Sequence, residues 1–87
     1  MTKQKTLKTG RTVITRNASD TLHPEDVLAA LGKHTSGDWG ECGEEDWQSN
    51  ELAYESGEDR VFSIYRDRSG VKFWIITEWD RSSTTVL

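Results

Sequence analysis

A chain of 87 residues with one cysteine has neither an internal disulfide nor an all-cysteine zinc cage to hold it together, so packing must. No apolar run approaches the roughly 20 residues of a membrane helix, and residues 1–22 lack the apolar stretch of a secretory signal, which predicts a cytoplasmic protein with no membrane partner. The net charge of −4 hides a segregated layout: residues 1–16 carry Lys3, Lys5, Lys8, Arg11 and Arg16 and no acid, whereas residues 35–59 carry nine acids and no base.

One domain of this size buries only about 60–65% of the surface its unfolded chain exposes. Four Trp, two Tyr and two Phe must then supply much of the core. Residues 1–10 are polar, basic and aperiodic and are expected to form a disordered arm ahead of a single domain over 11–87. Residues 11–16 (RTVITR) have the β-branched content of a short strand, and residues 17–20 read as a turn.

Pro24 followed by Glu25 and Asp26 predicts a helix start, since proline lacks an N–H that would go unpaired there and the acids complement the helix dipole. Val27, Leu28 and Leu31 form its apolar stripe, and it is expected to end near Lys33 or His34. Residues 35–37 follow as a linker and 38–43 as a glycine-containing loop. A second helix is expected from Gly43 or Glu44 to about Glu55, with Gly57 as its stop. Trp47 and Tyr54 share one side of it, but Asn50 and Glu51 interrupt that side and predict shallow packing.

Residues 60–66 and 71–77 are β-branched and aromatic runs around Asp67, Arg68, Ser69 and Gly70, the composition of a hairpin turn. Alternation puts Val71, Phe73 and Ile75 on a core face and Lys72, Trp74, Ile76 and Glu78 on a face only partly covered. Residues 83–87 are expected to return beside the second strand. The order predicts an α+β domain, strand-helix-helix-antiparallel meander, with the helices on one face of the sheet. Trp39 is expected to plug the core from its loop, and Trp79 to flank the end of the sheet.

The motif His34-Thr35-Ser36-Gly37-Asp38-Trp39-Gly40, with Cys42-Gly43-Glu44-Glu45-Asp46, Val71 to Glu78 and Asp80-Arg81-Ser82, resembles a family of small bacterial proteins labelled plasmid-related and associated with mobile elements. The resemblance spans about residues 34–87. It implies a bacterial origin and brings no catalytic residue with it. It also implies that the natural chain continues a few residues past Leu87.

Three surfaces remain as candidates. Glu41, Glu44, Glu45, Glu51 and Glu55 would form an acidic helical surface for a protein partner, provided they converge, although a run of acids is more often a solvated face. Tyr65, Arg66, Lys72 and Trp74 would form an aromatic and basic platform for single-stranded nucleic acid, helped by the basic arm. His34, Asp38 and Cys42, four residues apart, are metal-ligand or nucleophile types that only a continuous helix would align, and Gly37, Gly40 and Gly43 oppose one. The leading expectation is therefore a non-enzymatic interaction module without cofactor or metal, a monomer or weak dimer, acting through its acidic side. Nucleic-acid binding stands second, and a small hydrolase or metal protein at His34, Asp38 and Cys42 third.

Overall fold

The structure, a computed structural model, describes residues 7–57 and 59–87. In chain order these form β1 (Arg11–Ile14), α1 (Arg16–Thr21), α2 (Pro24–Thr35), α3 (Glu44–Ser56), β2 (Val61–Arg66), β3 (Lys72–Thr77) and β4 (Ser83–Val86). The strands make one sheet in the order β1-β4-β3-β2. The hairpin pairs Val61 with Thr77 through Arg66 with Lys72, and β4 continues it antiparallel to β3. β1 joins outside β4 and runs parallel to it, Arg11 beside Ser83 and Ile14 beside Val86, so the sheet is mixed. The domain is α+β.

Residues 17–20 are helical rather than a turn. Thr15 ends the first strand and caps α1 at once, its hydroxyl accepting from the Ala18 amide at 3.3 Å. Ala18 and Leu22 are thereby turned into the core. α2 begins on Pro24 as its composition predicts, but its inward stripe is Val27, Ala30 and His34, with Leu31 half-buried. Leu28 is instead 70% exposed, because the helix is turned so that His34 faces the sheet. α3 ends on Gly57 in the left-handed conformation, whose amide returns to the Ala53 carbonyl. Its buried residues are Asn50, Ala53 and Tyr54, so the polar interruption predicted in this helix faces inward.

The hairpin turn is built by Asp67. One carboxylate oxygen accepts from the Ser69 and Val71 amides and the other from the His23 amide, tying the turn to the start of α2. One face of the sheet, Val61, Ser63, Tyr65, Phe73, Ile75, Thr77, Thr84 and Val86, is buried throughout. Tyr65, Phe73, Ile75 and Val86 share a cluster with Ala18, Leu22, Val27 and Ala30. Val61 shares a second with Leu7, Trp39, Ala53 and Tyr54.

The basic arm was expected to reach residue 10, yet Leu7 is buried and its amide donates to the Thr35 carbonyl at 2.9 Å. The Thr9 carbonyl accepts from the Thr84 hydroxyl. Residues 7–10 therefore belong to the fold, because an apolar side chain at position 7 has a pocket to fill. Lys3 and Lys5 lie outside the described residues.

Candidate interaction surface

The second face of the sheet carries two adjacent apolar rows. Ile64 pairs with Trp74, which exchanges both backbone hydrogen bonds with Leu87 at 2.9 Å. One step along, Phe62, Ile76, Thr85 and Val13 lie side by side across all four strands. Trp74, Val13 and Leu87 are each roughly two-fifths exposed, and Phe62, Ile64, Ile76 and Thr85 are half-buried. Charged residues close the rows at either end. Arg66 and Lys72 stand opposite each other beyond Ile64 and Trp74, while Glu78, Ser83 and Arg11 lie beyond the second row. The Lys72 ammonium sits 5.7 Å from the centre of the Trp74 ring, a cation–π contact.

The strand register separates Tyr65 from Arg66, Lys72 and Trp74. Tyr65 pairs with Phe73 and is buried on the inner face, where its hydroxyl donates to the Asp38 carbonyl. Arg66, Lys72 and Trp74 remain together on the outer face. Tyr65 drops out of the platform because adjacent strand residues point to opposite faces.

The acidic residues do not form one free patch. Arg66 donates from Nε to both carboxylate oxygens of Glu41 at 3.1 Å. The Trp39 indole N–H donates to Glu51 at 3.0 Å, so that acid serves to seat a fully buried tryptophan. Glu44 and Glu45 occupy the first turn of α3, where the helix dipole favours acids whatever their function. Glu55 lies in the last turn and is exposed.

His34, Asp38 and Cys42 do not converge either. Among the described residues no three His, Cys, Asp or Glu side chains stand close enough to share a metal ion. Asp38 bonds the Gly40 amide two residues on, closing its own loop. Cys42 lies against the Phe62 carbonyl and the Asn50 amide, and burial together with the charge of Asp46 pushes its thiol above the usual range, which opposes a nucleophilic thiolate.

His34 is fully buried and sits in a chain of hydroxyls whose proton directions can be worked out from one end. Thr84 spends its only hydroxyl proton on the Thr9 carbonyl at 2.8 Å. Thr77 must then donate to Thr84, and His34 Nε2–H to Thr77 at 2.9 Å. Nδ1 is left to accept from the Ser63 hydroxyl. The chain places a proton on Nε2, and burial keeps the ring neutral, so Nδ1 accepts. Burial, reinforced by the charge of Arg81, lowers its pKa to about 4. Ser63 and His34 have the donor–acceptor relation of a nucleophile and its base, but neither has any exposed surface through which a substrate would arrive.

A cleft of about 370 Å³ lies between α2 and the outer edge of β2 and is lined by Asp26, Lys33, Glu41, Tyr65, Arg66 and Arg68 among others. Most of its charges are paired: Arg66 with Glu41, and Arg68 with Asp26. Arg68 holds Asp26 in two contacts at 3.0 Å and reaches Glu25, and its hydrogen bonds bring the Asp26 carboxyl down to about 2.

Comparison with protein-family models, with curated proteins and with solved structures found no match for this chain.

Proposed function

We propose that this chain is a non-enzymatic interaction module of the bacterial cytoplasm that docks another macromolecule on the outer face of its sheet. The observation that carries the reading is the pair of partly exposed rows, Ile64-Trp74-Leu87 and Phe62-Ile76-Thr85-Val13, set side by side on the outer face of the sheet. Continuous apolar surface on a small soluble domain marks a contact surface more often than not. The aliphatic weight of both rows favours a protein partner. The acidic helical surface has less support as the docking site, because Glu41 and Glu51 are engaged within the chain.

A second reading, single-stranded nucleic acid, is favoured by Lys72 over the Trp74 ring with Arg66 opposite it on β2. One experiment separates the two. A fluorescein-labelled 20-nucleotide single strand is titrated onto the protein at low and high salt while Trp emission is followed. A photo-crosslinking residue at position 76 is used in parallel on cell extract. Salt-sensitive binding that quenches emission and is lost in Trp74→Ala supports the nucleic-acid reading. A protein crosslinked at position 76, and released when Trp74→Ala is introduced, supports the protein reading. Failure of both, with the variants folded, rejects the outer face as the docking surface.

A further inference from the structure

The sheet ends in two edges, and among the described residues only the β2 edge is closed. Outside β2, the Asn50 side chain both donates to and accepts from the Phe62 backbone, at 2.6 and 3.1 Å. The segment around Gly40 then takes over, the Ile64 amide bonding the Trp39 carbonyl and the Glu41 amide bonding the Ile64 carbonyl. Among the described residues β1, at the other end of the strand order, has no strand outside it. Arg11 and Thr15 direct their amides to β4, at 3.0 and 2.9 Å, so strand alternation directs the N–H and C=O groups of Thr12 and Ile14 away from the sheet. All four residues of β1 are exposed.

Beside this edge runs an apolar groove of about 340 Å³ lined by Ile14, Ser19, Leu22, Pro24, Val27 and Leu28, none of them charged. Its rim residues, Ile14 and Leu28, are 41% and 70% exposed. The polar groups of an edge strand and an adjoining apolar groove are the two elements that strand addition uses: backbone hydrogen bonds give affinity and alternate side chains fill the groove. The charge around the edge selects the occupant. Lys8, Arg11 and Arg16 flank it, all exposed, and residues 7–19 contain no acid. A second copy is disfavoured by the same charges. Two β1 strands pairing antiparallel in a face-preserving register about Val13 would bring Arg11 of one against Thr15 and the adjoining Arg16 of the other.

We propose that the free edge of β1 accepts an extended acidic segment of a partner protein as an added strand, with alternate apolar residues of that segment seated in the groove beside Leu28. This site is separate from the outer face and does not depend on it.

The test uses the whole chain, labelled with 15N, and a fluorescein-tagged peptide Asp-Val-Glu-Val-Thr-Ile-Glu, with a control peptide carrying Lys at each acidic position. The acidic peptide is expected to bind, to slow exchange of the Thr12 and Ile14 amides, and to bind at least about tenfold more tightly than the Lys peptide at low salt. Thr12→Pro removes an outward N–H while sparing the bonds to β4, and Leu28→Glu places an acid on the groove rim at an exposed position. Each is expected to weaken the acidic peptide about tenfold or more, with an unchanged thermal midpoint for at least Leu28→Glu. No binding, equal binding of the two peptides, or protection that bypasses Thr12 and Ile14 overturns the proposal. Concentration-dependent doubling of mass, with those same amides protected in the free protein, also overturns it and makes a second copy the occupant.

Discussion

The two edges of the sheet solve the same chemical problem in opposite ways. At β2, each outward backbone group of Phe62 and Ile64 has a partner, supplied by the Asn50 amide and by residues 39–41. At β1, no strand among the described residues pairs with the outward groups of Thr12 and Ile14, and the neighbouring side chains are a mixture of cations and exposed aliphatics. An unpaired edge is a hazard that small domains usually blunt. The chain devotes a helix side chain and a glycine-dependent loop to one edge and only flanking charge to the other, the contrast on which the strand-addition proposal rests. Gly40 is specific to that closure. A Cβ there would stand 2.0 Å from the Ile64 carbonyl, so only glycine allows the loop to lie this close to the strand.

The contrast can be broken most severely at Trp39. It is fully buried, meets the rings of His34 and Tyr54 edge-on at 5.7 Å, and anchors the closing loop through Glu51. Trp39→Ala is expected to cost about 3–5 kcal/mol in urea denaturation and to speed exchange of the Ile64 amide. A loss under about 1 kcal/mol would mean that the loop, and with it the closed edge, is dispensable.

Acid should act next, through His34 behind the same edge. Its folded pKa of about 4 lies below the ordinary 6.5, so the unfolded chain binds a proton that the folded chain refuses. Stability from this group is complete above pH 6.5 and falls progressively down to about pH 4, by roughly 3 kcal/mol in all. Denaturant midpoints at pH 7, 5.5 and 4.5 check the slope. His34→Gln should remove it while lowering stability at pH 7, and an unaltered slope would assign the acid sensitivity to another group.

Asn50→Ala leaves the outward N–H and C=O of Phe62 without their partner and is expected to cost about 2 kcal/mol. Partial access of water sets it below Trp39→Ala. The smallest effect belongs to the open side. Leu28→Lys and Val13→Lys are expected to shift unfolding by no more than about 0.5 kcal/mol, since both side chains are exposed in the free protein. A shift of 2 kcal/mol at either would show that the β1 side is closed after all, and would remove the basis for contrasting the edges.

Much of the architecture is legible in local residue patterns. The hairpin follows from Asp67 and Gly70 between alternating runs, α2 from Pro24 with its two acids, and the stop of α3 from Gly57, because each depends on neighbours a few positions away. The turn assigned to residues 17–20 failed for a local reason as well: Thr15 is a good N-cap, a signal present in the sequence but weak for a helix of six residues. Tyr65 was recoverable too, since counting back from Phe73 across the turn places the two on one face. Leu28 and Asn50 were not. Periodicity gives a helix an apolar side, but His34 and Asn50 occupy the buried sides of α2 and α3 because of distant partners, Ser63 and Thr77 for one and the Phe62 backbone for the other.

The candidate surface divides in the same way. Lys72, Trp74 and Ile76 on one partly covered face were legible, whereas Val13, Phe62 and Leu87 join them only through strand pairing. By itself the sequence determined the two longer helices and the strand segments, though not α1, together with which faces alternate and how charge is distributed along the chain, since these rest on interactions over a few residues. The tertiary structure alone decided that β1 runs parallel to β4, that His34 is a buried neutral link rather than a ligand, and that one edge is closed and the other open. Those outcomes depend on pairings between residues as far apart as Thr9 and Thr84, whose partners are chosen by competition among all strands and helices at once.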